Sequence, residues 1–302
     1  MKKSLLVIAM LCLAAFAAWK FWPRPPQAQQ PPLATKSRER ELRVADSQLA
    51  LTERLKAARE ISTDLTNDEL KRLLAFLAKP IDARTGEEDF MAINEVMNQL
   101  RKSGMACGEY ANALCGLIRE PQTHPVVRDY AIQHAGSWIK DSAAGTLPVS
   151  IGDEDRKKLL DCIVVFLQEP DSVRETGFGT TLNVLQHLQV PHPREIGEIF
   201  AQMSPRLLDI VEGREGVPMS NRMSVIQSLP FLPDREEARQ RVRDILSQAG
   251  ASSPFRLVAI GTLGQLGDSS DVATLRQIRD SDTRLQYAAT AALKKLETSL
   301  HP

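Results

Sequence analysis

The chain has 302 residues, a hydrophobic share of 43%, a charged share of 25% and a formal net charge of zero. That is enough apolar material for a substantial core, in two ordinary domains or in one extended repeat array. Neutrality without a long basic stretch argues against a nucleic-acid protein, whose phosphate contacts need clustered Lys and Arg, and equally against a polyanionic tail. Aromatic residues make up only 5% of the chain. Ala, Leu, Val and Ile must therefore fill the interior, as they do where helices pack closely in layers.

In chain order, the first predicted element is a hydrophobic leader over residues 1–22. Met1–Lys3 are basic, and Ser4–Ala18 form an uncharged, mostly apolar run with no polar face. Such a run reads as a signal peptide or a signal anchor, not as a core helix. Ala15-Phe16-Ala17 offers a cleavage site. Against cleavage, Trp19, Phe21 and Trp22 extend the run to about the ~20 residues a bilayer needs, with Lys20 placed to reach the headgroups. The anchored form is favoured, with a periplasmic C-terminal domain, and the cleaved periplasmic form is the alternative. Cys12 lies in mid-run without a lipobox before it, which speaks against lipidation.

Residues 23–35 read PRPPQAQQPPLAT. Proline fixes φ and removes backbone donors, so this is an extended, solvated linker. Residues 36–60 are charged with a thin stripe of Leu42, Leu49, Leu51 and Leu55. They are expected to form a helix, either a stalk or a cap on the domain after it.

From residue 61 to 302 apolar-periodic stretches alternate with short polar breaks, and no alternating strand pattern occurs, which predicts an all-α domain. Thr66 and Glu69 match a capping box ahead of Leu70, Leu73, Leu74 and Leu77. Pro80, Pro121, Pro170 and Pro191 each come after a helical run that cannot continue through them. Five segments then repeat a theme in which a polar or Pro start precedes an aliphatic residue, an Arg or polar residue, and a small residue. They begin at Pro125, Asp171, Ser220, Pro254 and Asp282, with positions 128, 174, 222, 256 and 286 taken as equivalent. Spacings of this kind suit helix-pair repeats with loops of varying length.

Small residues at Ala259, Gly261, Gly264, Ala288, Ala289, Ala291 and Ala292, with Asp280 and Asp282 in a turn, carry a family resemblance. The run from Ser252 to Leu296 resembles bacterial HEAT repeats, including the phycobilisome-lyase-like variety. The segments at 121–141 and 169–188 resemble them less closely. The resemblance implies an α-solenoid of about six antiparallel helix pairs, an armadillo-like superhelix, behind the N-terminal hydrophobic helix. Gly177 in place of Ala, Pro230 and Pro233, and an irregular stretch at 194–217 predict a distorted middle. The recurring Arg128, Arg174, Arg222 and Arg256 invite an anion-binding ladder. They suit better the bonding of turn carboxylates on a neighbouring repeat.

Chemistry-bearing patterns are weak. His124 and His192 precede Pro at helix starts, His134 is expected to be partly buried on a helix, His187 and His192 straddle a Pro turn, and His301 is in the tail. None has metal-ligand spacing. Cys107, Cys115 and Cys162 form no Cys-x-x-Cys motif and are expected as free buried thiols, unless adjacent repeats bring Cys162 to one of the others. Gly177-Phe-Gly179 suits packing, and Asp153-Glu-Asp155 suits a helix N-terminus. No residue is assigned a catalytic, cofactor or metal role, and no particular residue is assigned to a partner. The expectation is a non-catalytic scaffold in the bacterial cell envelope, holding a protein or peptide on its solenoid surface and binding no nucleic acid. An accessory subunit of an envelope enzyme complex is the alternative, and an enzyme in its own right is a weaker one.

Overall fold

A computed structural model describes residues 43–61, 65–81, 86–103, 107–212, 216–248 and 253–300. The leader at 1–22, the linker at 23–35 and the start of the 36–60 segment lie outside the described residues, as does His301. The described residues are helical, with no strand among them. No helix among them is long and apolar enough to cross a membrane.

In chain order the helices are α1 (Leu51–Arg59), α2 (Asn67–Leu77), α3 (Gly86–Ser103), α4 (Cys107–Arg119), α5 (Pro125–Ala143), α6 (Asp153–Gln168), α7 (Thr176–Leu188), α8 (Pro193–Val211), α9 (Met219–Ser228), α10 (Arg235–Ser247), α11 (Ser253–Leu266), α12 (Asp271–Ser281) and α13 (Gln286–Leu300). Single 3-10 turns occupy Pro170–Arg174 and Leu229–Phe231. Local chemistry explains many boundaries. Thr66 N donates to Glu69 Oε2 at 2.6 Å while Glu69 N donates to Thr66 Oγ1 at 3.3 Å, which closes the capping box of α2. His124 caps α5 by accepting from Val126 N at 3.3 Å, ahead of Pro125 at the first helical position. Asp153, Glu154 and Asp155 fill the first turn of α6, where backbone N–H groups face outward.

The packing alternates. The odd-numbered helices α1, α3, α5, α7, α9, α11 and α13 each contact the next odd one in succession. Each even helix from α2 to α12 contacts the odd helix next after it in the chain. The core lies between these two sets and is mostly aliphatic, with Leu73, Ile93, Leu114, Ile132, Leu159, Leu182, Ile226, Leu263 and Leu293 all buried. Larger rings enter only locally. Tyr110 is wholly buried, donates to Met97 O at 2.8 Å and packs against Trp138 at 5.1 Å between centroids. Burial raises its phenol pKa well above the ordinary value.

Two expectations are corrected. The stretch 194–217 is not irregular up to Val211, because α8 runs unbroken through Pro205. Its buried stripe of Ile196, Phe200, Met203, Leu207 and Ile210 holds the helix where proline forfeits one hydrogen bond. The cysteines are not all free, since α4 and α6 pack together and bring Cys115 and Cys162 into a disulfide with Cα atoms 5.7 Å apart.

Candidate binding face

The repeated arginines divide by what they touch. Arg128, at the fourth position of α5, is 5% exposed. Its Nη1 donates to Glu175 Oε1 at 2.6 Å, and its Nη2 donates to Glu120 O at 2.7 Å. Arg256, at the fourth position of α11, donates to Asp282 Oδ2 at 3.2 Å. Each thus ties the start of one odd helix to the turn before the next, as expected of stacking bonds. Arg222, at the fourth position of α9, instead donates to Val211 O at 3.4 Å and lies over the Phe255 ring at 4.7 Å. Arg174 is not equivalent to these. It belongs to the 3-10 turn before α7, is largely exposed, and among the described residues its ion pair is with Asp171 at 3.6 Å. At that turn Asn221 does the tying, donating to Val173 O at 2.8 Å and Glu175 O at 2.7 Å.

Earlier in the chain Arg54 plays the same part from a fully buried position. Its Nε donates to Val44 O at 3.0 Å and its Nη2 to Asp89 Oδ1 at 2.5 Å, tying α1 to α3. These cations are bound to backbone carbonyls and carboxylates of the fold itself.

Close approach between odd helices depends on missing side chains. A Cβ on Gly136 would stand 2.3 Å from Val184 Cγ1 across the α5–α7 contact. One on Gly264 would stand 2.8 Å from the backbone Cα of Ala292 across the α11–α13 contact. Glycine at these positions lets the two pairs of neighbouring helices draw together.

Along α7, α9 and α11 the chemistry differs from that of the even helices α6 and α10. The helix α7 (TGFGTTLNVLQHL) contains no Asp, Glu, Lys or Arg. The helices α9 and α11 contain one arginine each, Arg222 and Arg256, both engaged at the turns described above. By contrast α10 reads REEARQRVRDILS and α6 begins DEDRKK. What the middle odd helices expose is uncharged: Asn183, Ser220, Gln227, Leu257, Gly261 and Gln265. Depletion of charge together with an exposed Met, here Met219 of α9, is the composition found at the cores of protein interfaces.

Between α5 and α7 the face opens into a groove of about 460 Å³. Gln133, Ser137, Lys140, Thr180, Asn183 and His187 line it, over Gly136 and Val184. No lining residue is acidic. The side chains of Ser137, Lys140, Thr180 and Asn183 make no hydrogen bond or ion pair among the described residues. His187 Nδ1 lies 2.8 Å from Asn183 O, so this nitrogen carries a proton and donates it to the carbonyl.

The other histidines are placed apart from that groove. His134 is buried, with Nε2 2.9 Å from Asn94 Oδ1, and burial followed by the nearby Arg101 guanidinium pushes its pKa down to about 4. His192 stands at the start of α8, its pKa lowered first by burial and then by Arg156. Among the described residues no group of three or more His, Cys, Asp or Glu side chains is arranged to hold a metal ion.

Sequence reasoning does not single out the groove residues, apart from the weak His187/His192 pairing. The available signal is the absence of charge from 176 to 188 beside charge-rich neighbours. No protein-family model matches this chain, and no curated protein matches it either.

Proposed function

We propose that residues 61–302 form an α-solenoid of HEAT type whose odd helices hold a protein or peptide partner, and that the protein acts as a non-catalytic scaffold in the bacterial envelope. The observation that carries this reading is the run of middle odd helices α7, α9 and α11, packed each on the next, that expose an uncharged surface beside the charge-rich even helices α6 and α10. A stack of helix pairs presents one long continuous face, and a solvated face with no partner has no reason to lose its charged residues. In this reading the hydrophobic segment at 1–22 anchors the chain in the cytoplasmic membrane, the 23–35 linker spaces it, and the repeats stand on the outer side. The Cys115–Cys162 bond supports that side, because structural disulfides persist in oxidising compartments.

The test is affinity capture with the full chain from detergent-solubilised envelope membranes. One protein recovered at fixed stoichiometry is the expected result, and its identity separates a scaffold from an accessory subunit of an enzyme. Recovery of none would overturn the scaffold reading. Intact mass of the mature chain tests the anchor, since a species beginning near Ala18 has lost it.

A further inference from the structure

We propose, resting on the protein-binding reading above, that the groove between α5 and α7 is the specificity site of that face and seats an acidic side chain from an extended segment of the partner. Three observations converge on it. The groove contains an ammonium, that of Lys140, with no carboxylate among the lining residues and no ion pair among the described residues. A cation left without a counter-charge in a concave setting favours an anionic guest. The remaining polar groups come as both donors and acceptors. Ser137, Thr180 and Asn183 offer either, and His187 has Nδ1 turned to Asn183 O, which leaves Nε2 free for a guest. That combination suits the alternating N–H and C=O of an extended main chain better than it suits a free anion, which needs donors alone.

The third observation is continuity. The helix α7 contacts α9 and α9 contacts α11, and these exposed residues are uncharged, Gln227 on α9 and Gly261 and Gln265 on α11.

The experiment selects random displayed peptides on the purified full-length chain. The expected outcome is a set of binders sharing one Asp or Glu, each weakened about fivefold or more when that residue becomes Asn or Gln. Lys140→Glu should abolish selection of these peptides, and a Lys placed at the acidic position should restore binding to that variant. Asn183→Asp, which puts a carboxylate in the same groove as Lys140, should weaken the acidic peptides by a similar factor. Both positions are exposed, and thermal melts superimposable on wild type show that the variants fold.

Failure to enrich any peptide, enrichment without a shared acid, or indifference of the binders to both variants would overturn the assignment. If the membrane partner is captured equally by wild type and Lys140→Glu, the groove assignment falls while the scaffold reading stands. If wild type captures no partner, the scaffold reading falls on that result alone.

Discussion

His134 shows how a single buried side chain gives the fold a pH dependence. Its pKa is held near 4 by burial and by Arg101, against about 6.5 when unfolded. The native state therefore keeps the ring neutral while the unfolded state takes up a proton as pH falls below 6.5. Stability is fully present above that pH, is lost progressively as pH falls, and levels off below about 4. Between pH 7.5 and pH 5 the loss from this residue is on the order of 2 kcal/mol. Urea unfolding of wild type and His134→Gln at both values should show a smaller pH-induced drop in the variant. Equal drops would mean that other groups carry the acid sensitivity. Legibility at this scale depends on sequence distance. The Thr66–Glu69 box and the His124 cap are readable because donor and acceptor are neighbours in sequence. The partners of Arg128 and Arg222 lie in other elements, and pattern alone does not separate Arg174, held in a 3-10 turn, from the arginines that tie helices together.

Helix-to-helix distance is set by glycines that look alike in the sequence. Gly261 and Gly264 both stand in α11, but a Cβ at 261 meets nothing within 4 Å, whereas one at 264 meets the backbone of Ala292. Gly264→Ala should destabilise the protein by about 1–3 kcal/mol through overpacking. Gly261→Ala should stabilise it by up to about 1 kcal/mol, because alanine restrains the unfolded chain and favours helix. Thermal melts of the two single variants check this, and shifts of the same sign would show that the α11–α13 approach is not limited by Gly264. Helix existence is largely legible from periodicity. The exception is α8, whose pattern reads as irregular although the helix is continuous through Pro205. Burial of its stripe outweighs one missing backbone bond, and the strength of that burial depends on neighbours the sequence does not display.

For the molecule as a whole, the cross-link between α4 and α6 is the feature that conditions set. Cys115 and Cys162 are 47 residues apart. Closing a loop of that length restricts the unfolded chain and contributes about 2–4 kcal/mol. Cys115→Ser, or reduction of the intact protein, should lower stability by that amount in denaturant unfolding, and reductant should have no further effect on the variant. Unchanged stability in both would remove the bond from any structural role.

The sequence by itself determined that the body is helical, where many helices start and stop, and that its core is aliphatic. Each of these rests on side chains a few residues apart. The tertiary structure decided which cysteines meet, which arginines tie which turns, and that uncharged side chains from α5 and α7 converge on one groove beside Lys140. The physical reason is that these depend on packing between separate helices, over 26 residues for Arg256–Asp282 and 47 for both Arg128–Glu175 and Cys115–Cys162. No periodicity within a helix encodes the face a neighbour will leave open.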